Sequence, residues 1–249
     1  MPDTYEQQAM AELSLWQKKI QQRPSLLGKL SAKVQRRINR IIPEKVHKAI
    51  TTTIKQMVRG VLTGAKFLTS APKEELTFER REILVREKIE FYKKTAAAEG
   101  GVTGAGGLLL GLADFPILLA LKLKLLFEIA SVYGYPVKKF SERVYILHIF
   151  QLAFSSQQRK TEVYLQMQNW DKIAGSLPED IHQFDWRTFQ QEYRDYLDLA
   201  KMAQLIPVIG APVGFVVNYR LIDHLGKTAM NAYRLRILQQ GLTSQPVLR

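Results

Sequence analysis

The chain has 249 residues, contains no cysteine and carries a formal net charge of +13. The absence of cysteine excludes disulfides, thiolate nucleophiles and cysteine-ligated zinc. With 46 % hydrophobic residues and a mean hydropathy of −0.14, the composition is typical of a water-soluble globular protein rather than a polytopic membrane protein. No basic stretch followed by an apolar one is seen at the N-terminus, so we expect no secretory signal and a cytoplasmic location.

The positive charge is concentrated in the N-terminal part of the chain. Residues 1–71 hold 13 Lys and Arg against 4 Asp and Glu, which gives +9 of the total. This uneven distribution predicts an anionic partner for that part, such as a membrane surface, a nucleic acid or an acidic protein. No recognised nucleic-acid-reading element accompanies the basic residues, so no specific nucleic-acid partner is predicted.

Apolar residues at helical spacing predict three helices within residues 1–72. The first is defined by Ala9, Leu13, Trp16 and Ile20 and is ended by Pro24. The second lies between Leu26 and Ile41, and the third begins at Pro43 and ends before Pro72. Basic residues separate the apolar positions of the last two helices, namely Lys33, Arg36, Arg37, Arg40, Lys48, Lys55 and Arg59.

These basic helices have two interpretations. In the first, the apolar stripe packs on the protein core while the basic residues face water, as in most basic amphipathic helices. In the second, the stripe contacts anionic lipid, where each Lys or Arg near the surface contributes about 1 kcal/mol. The second interpretation predicts that the partner is an anionic membrane surface, at the inner face of the cell membrane, or a membrane protein.

A charged helix is predicted from Lys73 to Ala98, and the composition then changes abruptly. Six glycines fall between Gly100 and Gly111, and a leucine-rich helical pattern follows them. Small residues spaced four apart let helix backbones approach closely, so we predict a buried hairpin of two helices. Asp114 stands before Phe115-Pro116, which predicts that the second helix of the hairpin begins there with Asp114 as its N-cap.

The same glycine-rich segment has the length of a membrane span. Residues 100–121 contain a single charge, and a helix of this length, rising about 1.5 Å per residue, crosses about 30 Å of hydrocarbon. Asp114 argues against a simple span, because a central aspartate costs about 2.5–3.5 kcal/mol on insertion. The buried hairpin is therefore preferred, and re-entrant membrane insertion is the alternative.

The C-terminal half continues the helical pattern. Helices are predicted from the N-cap Ser141 to Leu152, over 158–174, after the N-cap Asp185, and from about Gly214 to Gln240. No strand pattern of any length occurs. The sequence therefore predicts an all-α multi-helix bundle, with the glycine-rich hairpin at its core and a basic amphipathic N-terminal arm.

Two motifs in this half of the chain resemble those of a known family. The first comprises the glycines of 104–107, the segment Gly111-Leu112-Ala113-Asp114-Phe115-Pro116, and Tyr133-Gly134-Tyr135. The second comprises FQQEYRDY at 189–196, IPVIGAPVG at 206–214, and Asn218. Both resemble the EcsC protein family, over about 73–238.

The resemblance implies a helical domain whose biochemistry is poorly defined. Because some family members are associated with export transporter components, it also implies a membrane partner. The chain is accordingly divided into basic N-terminal helices (1–72), an EcsC-like helical domain (73–240) and a short tail (241–249).

Charged residues interrupt the apolar motifs. Lys124 and Glu128 are four residues apart on one helix face, which predicts an ion pair between them. Because a buried unpaired charge is costly, we expect the charges of the two motifs to meet in one polar cluster inside the bundle. The predicted cluster consists of Glu99, Asp114, Lys124, Glu128, Arg194, Asp195 and Asn218.

Such a cluster is also where a metal-dependent hydrolase would hold its metal, which is one alternative function. The Glu-x-x-His repeat of di-iron bundles, HExxH and Gly-x-Ser-x-Gly are missing, and the glycines do not match a nucleotide-binding loop. We therefore predict no catalytic residue, metal or cofactor, and a peripheral membrane-associated binding or accessory module. A soluble structural domain that binds a protein partner is the second alternative.

Overall fold

The computed structural model describes residues 4–22, 44–63, 76–104, 107–178 and 210–243. Eight α-helices contain nearly all of these residues, and none of the described residues lies in a β-strand. The all-α, multi-helix prediction is confirmed. The helices are α1 (Thr4–Gln21), α2 (Glu44–Thr63), α3 (Phe78–Gly104), α4 (Gly107–Val132), α5 (Phe140–Phe154), α6 (Gln157–Gln168), α7 (Trp170–Ser176) and α8 (Gly210–Thr243).

Three long helices, α3, α4 and α8, form the centre of the bundle. α3 is antiparallel to α4. Glu82, near the start of α3, accepts a hydrogen bond from Tyr133 at the end of α4, whereas Tyr92, further along α3, donates to Glu128, which lies earlier in α4. α3 is also antiparallel to α8, because Glu82 pairs with Arg234, whereas residues further along α3 contact earlier parts of α8. α4 and α8 therefore run parallel.

α3 and α8 approach each other closely at Gly226. A Cβ atom at this position would lie 2.5 Å from Ile89 Cγ1 and 3.0 Å from its Cγ2. Both atoms belong to a stiff β-branched side chain, so rotation cannot relieve the overlap. Glycine is thus required at 226 for the spacing of the two helices.

This contact makes a prediction for stability. We expect Gly226→Ala to lower the free energy of unfolding by about 1–3 kcal/mol, because the added methyl group overpacks the helix interface. Gly60→Ala on α2 is the matched control, since nothing lies within 4 Å of the added Cβ there. Alanine has the higher helix propensity, so the control is expected to gain up to about 1 kcal/mol. Urea unfolding of both variants measures the difference, and equal effects would contradict the packing argument.

The N-terminal helices that the structure describes pack on this bundle. In α1, Ala9, Leu13 and Ile20 are buried, as the predicted apolar stripe requires, and α1 contacts α8, α6 and α3. α2 buries Ile50 and Ile54 with the rest of its stripe and packs against α4 and α5. The predicted second helix (26–41), the helix after Asp185 and most of the apolar segment before Gly210 lie outside the described residues. The domain division at 72 stays a prediction.

The prediction that a helix begins at Asp114 was wrong. α4 is continuous from Gly107 to Val132, with Pro116 inside it. A proline inside a helix costs about 3 kcal/mol, because one backbone hydrogen bond is lost. Phe115 and Leu118 next to it are fully buried, and each such side chain contributes about 1.5–3 kcal/mol. Core packing therefore outweighs the local helix-start signal.

Two other helix ends differ from the prediction. α5 begins at Phe140 after Lys139, which makes no side-chain capping bond, so Ser141 lies inside the helix. α8 begins at Gly210 and continues past Gly241, the predicted C-cap, to Thr243.

The turn between α4 and α5 explains the Tyr133-Gly134-Tyr135 motif. Gly134 has a φ of 90°, which disfavours other residues, and a Cβ there would lie 2.7 Å from Arg81 Nη1. The Arg81 guanidinium donates hydrogen bonds to the carbonyls of Val132 (2.9 Å) and Leu76 (3.0 Å). The glycine thus lets an arginine of α3 close the end of α4.

None of the helices in the described ranges combines the length and the apolar character that a membrane crossing requires. α3 ends at Gly104 and α4 begins at Gly107. The glycine-rich segment therefore comprises the end of one helix and the start of its antiparallel neighbour. The side chains of 100–113 lie outside the described residues, so the close glycine packing expected there stays a prediction.

Candidate functional site

The structure describes five of the seven residues of the predicted polar cluster. Arg194 and Asp195 lie outside the described residues. Glu99 is exposed near the end of α3, Lys124 is exposed on α4, and Asp114 is half-buried. Glu128 and Asn218 have partners, but they lie in two separate sites.

Glu128 pairs across the helices and not along its own helix. Its Oε1 accepts a hydrogen bond from the Tyr92 hydroxyl at 2.7 Å, and its Oε2 lies 2.8 Å from Lys88 Nζ. The predicted ion pair with Lys124 is therefore wrong. Burial, and then the Glu128 carboxylate, raise the pKa of Tyr92 above its ordinary value, so the phenol stays protonated and serves as the donor.

Asn218 pairs with a buried lysine that the sequence analysis did not single out. Lys122 Nζ donates to Asn218 Oδ1 at 3.2 Å and to the Leu118 carbonyl at 3.4 Å, and the lysine has no exposed surface. No ion pair to Lys122 is found among the described residues, and burial alone lowers the pKa of its amine to about 7. A neutral amine has two N–H donors, which match these two acceptors. Near neutral pH the site therefore accommodates an uncharged lysine.

A second buried polar site lies where the start of α3 meets the end of α4 and the C-terminal part of α8. Glu82 has no exposed surface, and its two oxygens accept hydrogen bonds from Arg234 Nε (2.7 Å) and Nη2 (2.6 Å). The hydroxyls of Tyr133 and Tyr5 also donate to it, each at 2.9 Å. Arg234 Nη1 completes the network by bonding Glu12 at 2.7 Å. One carboxylate therefore ties α1, α3, α4 and α8 together.

The charges of this network stabilise one another. Burial alone would lower the pKa of Arg234, but its hydrogen bonds to Glu82 and Glu12 outweigh burial and raise it. Burial, and then the Glu82 charge, raise the pKa of Tyr133 well above its ordinary value. The network is thus an ionised Arg–Glu pair in which neutral phenols supply the remaining hydrogen bonds.

A third site, near the second one, combines an ion pair with aromatic rings. Arg236 binds Glu142 through two hydrogen bonds of 2.7 and 2.9 Å, and Glu142 is only 5 % exposed. The guanidinium lies 4.0 Å from the ring centroid of Tyr135 and 4.5 Å from that of Tyr145. Such stacking suits arginine, which is weakly hydrated and planar. This contact accounts for the second tyrosine of the Tyr133-Gly134-Tyr135 motif.

The described ranges contain no group of His, Asp or Glu side chains arranged to hold a metal ion. His148 is buried and its Nδ1 lies 2.9 Å from the Val144 carbonyl, while His224 Nε2 lies 3.1 Å from the Ala153 carbonyl. Both rings thus bond backbone carbonyls of the bundle. Asp195, which the hydrolase hypothesis also needs, lies outside the described residues.

Three of the predicted membrane-binding residues lie on the outer face of α2. Lys48, Lys55 and Arg59 are exposed, while the opposite face of the helix is buried against α4 and α5. For α2, the first interpretation of the basic helices therefore applies, because its apolar stripe is part of the core. The four other predicted membrane-binding residues, Lys33, Arg36, Arg37 and Arg40, lie outside the described residues.

Comparison with known proteins places the chain in a family. The sequence model of the EcsC protein family matches residues 7–238. The chain belongs to the EcsC protein family. It is 40 % identical over 238 residues to Protein EcsC of Bacillus subtilis (strain 168), and the alignment covers 95 % of this chain and 98 % of that protein. It is 27 % identical over 259 residues to the uncharacterized protein YdbA of the same organism, with 94 % and 93 % covered. No solved structure matches the chain.

The EcsC match extends further towards the N-terminus than the two motifs indicate. The motifs begin beyond residue 73, whereas the match begins at residue 7 and includes α1 and α2. The structure provides a physical reason, since Glu12 of α1 bonds the buried Arg234 of α8. In this member of the family the first helix is therefore part of a buried network.

The polar residues that sequence reasoning missed share a signal. Each lies in register with an apolar stripe: Glu82 is three residues before the buried Val85, Arg236 is four after the buried Ala232, and Lys122 is four after the buried Leu118. Side chains three or four apart share a helix face, so a charge in such a register predicts a buried charge. The register indicates burial but not the partner.

Proposed function

We propose that this EcsC protein is a peripheral membrane-associated binding or accessory module that does not itself catalyse a reaction. The observation that carries the proposal is the outer face of α2, where Lys48, Lys55 and Arg59 are exposed on a helix whose other face is held in the core. The partner is an anionic membrane surface, or a membrane protein within it, at the inner face of the cell membrane.

The position of α2 determines the kind of contact that it makes. Because the apolar stripe of α2 is buried in the bundle, this helix contacts lipid through its charges and not by inserting. Each cation near an anionic surface contributes about 1 kcal/mol. Surface charges are screened over about 10 Å at an ionic strength of about 0.1 M, so the binding decreases with salt.

Flotation with lipid vesicles tests this proposal. The triple variant Lys48→Glu, Lys55→Glu, Arg59→Glu is expected to bind phosphatidylglycerol-containing vesicles at least about tenfold more weakly than the wild type, because three attractive charges become repulsive. The control carries Lys138→Glu, Lys139→Glu and Lys172→Glu, which changes the net charge equally at other exposed positions. Equal binding of the wild type to purely neutral phosphatidylcholine vesicles, or equal losses in the two variants, would contradict the role of α2.

The same measurement applies to the basic segment before α2. Reversing Lys33, Arg36, Arg37 and Arg40 to Glu is expected to weaken binding to anionic vesicles further, because these residues belong to the same charge excess of +9 in residues 1–71. An unchanged affinity would limit the basic contact to α2.

A further inference from the structure

Buried polar atoms without a hydrogen-bond partner are concentrated around one aromatic ring. Among the described residues, four buried side-chain atoms have no such partner, namely Glu128 Oε2, Trp170 Nε1, Tyr233 Oη and Arg236 Nε. Glu128 Oε2 has an ionic partner instead, because it lies 2.8 Å from Lys88 Nζ. The other three atoms belong to residues that all contact Tyr145. Their clustering is therefore a property of this place in the fold.

Tyr145 of α5 is fully buried at the centre of this group. Its ring centroid lies 4.8 Å from that of Trp170 at the start of α7, 5.5 Å from that of Tyr233 on α8, and 4.5 Å from Arg236 Cζ. The ring of Tyr135, in the turn after α4, lies 5.1 Å from that of Tyr233 and 4.0 Å from Arg236 Cζ. We call these five residues the Tyr145 cluster.

Arg236 is held so that one of its donors is left over. Its two terminal nitrogens bind Glu142, and its guanidinium is stacked on two tyrosine rings. The Nε–H group is therefore fixed in place and is not used by the carboxylate. The Tyr233 hydroxyl lies in the same region: burial raises the pKa of Tyr233, and the charge that acts most strongly on it is that of Glu142.

The chemistry of the three atoms defines the molecule that they would bind. Arginine Nε and indole Nε1 only donate hydrogen bonds, whereas a hydroxyl both donates and accepts. The partner must therefore carry an accepting oxygen. An anion is disfavoured, because Glu142 already neutralises Arg236 and the exposed carboxylate of Asp171, next to Trp170 in the chain, adds negative charge. A small neutral molecule fits best, and buried water typically makes about three hydrogen bonds.

The Tyr145 cluster lies close to solvent although most of it is buried. Trp170 and Tyr233 are 2 % and 0 % exposed, whereas Tyr135, stacked on Tyr233, is only half-buried. One side chain thus separates the buried donors from the surface.

We propose that the Tyr145 cluster binds ordered water, which accepts hydrogen bonds from Trp170 Nε1 and Arg236 Nε and bonds the Tyr233 hydroxyl. The competing arrangement directs both N–H groups at the faces of neighbouring rings, which are weak acceptors. The hydrated site links α7 to α8 and is bordered by the Tyr133-Gly134-Tyr135 turn. It is separate from the basic face of α2 and does not depend on membrane association.

Solution NMR of isotope-labelled protein tests for the water directly. The Trp170 indole N–H and the Arg236 Nε–H, assigned through bonds, are each expected to give a cross-peak to water in a rotating-frame Overhauser experiment. The sign of the cross-peak separates direct contact from hydrogen exchange. The backbone N–H of Phe150, a fully buried residue within α5, is the control and is expected to give none. A missing water contact at either side chain would overturn the proposal.

Removal of the Tyr233 hydroxyl provides a second readout, in which the two arrangements have opposite signs. If the hydroxyl bonds water, Tyr233→Phe loses a hydrogen bond and lowers the urea midpoint of unfolding, whereas removal of an unpaired buried hydroxyl raises it. We expect a lower midpoint. Tyr145→Phe is the matched control, because the Tyr145 hydroxyl donates to the Ala232 carbonyl at 2.8 Å and its loss is expected to lower the midpoint. A midpoint for Tyr233→Phe at or above that of the wild type would contradict the water site and leave the proposed membrane function unaffected.

Discussion

Replacing Lys122 by methionine is expected to stabilise the protein by about 1–3 kcal/mol at pH 7. The lysine is fully buried, and burial lowers the pKa of its amine to about 7, against about 10.4 in an unfolded chain. This difference destabilises the folded state by about 4 kcal/mol at neutral pH. Methionine removes that cost but also removes a donor to Asn218, which offsets about 1–3 kcal/mol of the gain.

The pH dependence distinguishes this mechanism from simple repacking. Between pH 7 and the unfolded pKa, the unfolded lysine binds more protons than the folded one, so wild-type stability rises with pH in this window. The destabilisation by Lys122 is fully present below the pKa of the lysine in the folded state and disappears at about pH 10.4, its pKa in the unfolded chain. The advantage of Lys122→Met is therefore expected to shrink as pH rises from 7 to 10, as measured by urea unfolding. Lys124→Met, at an exposed position of the same helix, is expected to change stability little at any pH, and a pH-independent gain for Lys122→Met would contradict the mechanism.

Replacing Glu82 by glutamine is expected to destabilise the protein by about 3–5 kcal/mol, because Arg234 then stays buried without its main counter-charge. Glu82 has no exposed surface and accepts two bonds from that arginine. Glu12 remains as a partner on the other side of the guanidinium, which places the expected loss at the lower end of this range. Chemical denaturation of the variant measures the effect.

A double-variant cycle separates the lost pair from lost packing. Glu82→Leu combined with Arg234→Met removes both charges and is expected to recover most of the stability that either single variant loses, because an apolar pair of similar size avoids the desolvation cost. The exposed pair Arg159–Glu162 is the control: Glu162→Gln is expected to cost less than about 1 kcal/mol. If the double variant is as unstable as the sum of the singles, the two residues are not energetically coupled.

The buried sites around Glu82 and around Lys122 differ in their electrostatics. Glu82 is paired with Arg234, whereas the part of the chain that the structure describes offers Lys122 two neutral acceptors, Asn218 Oδ1 and the Leu118 carbonyl. Paired buried charges specify which helices meet, while an unpaired buried lysine lowers stability locally.

Periodicity predicts most of the described helices because the spacing of apolar residues is a local property. The stripe of Ala9, Leu13 and Ile20 is buried as expected. Pro116 and Ser141 show where local signals mislead, since a proline or a capping residue is only a preference of about 1–3 kcal/mol. Burial of large side chains around them outweighs such preferences.

The polar sites were harder to predict than the helices. Asn218 accepts a hydrogen bond from Lys122, a residue that the predicted cluster did not include. Glu82 and Arg234 are 152 positions apart in the chain, and no local pattern links residues at that separation. Periodicity shows that a charge lies on a buried face, and only the packing of helices shows which opposite charge it meets.

The sequence by itself determined the helical class of this protein, its membership of the EcsC family and the uneven distribution of its charge, because these depend on local spacing and composition. The tertiary structure decided which charges are buried, which pair, and which apolar residues stay exposed, because these depend on contacts between distant helices. It revealed buried polar sites at Lys122, Glu82 and Glu142 that the sequence analysis had not singled out.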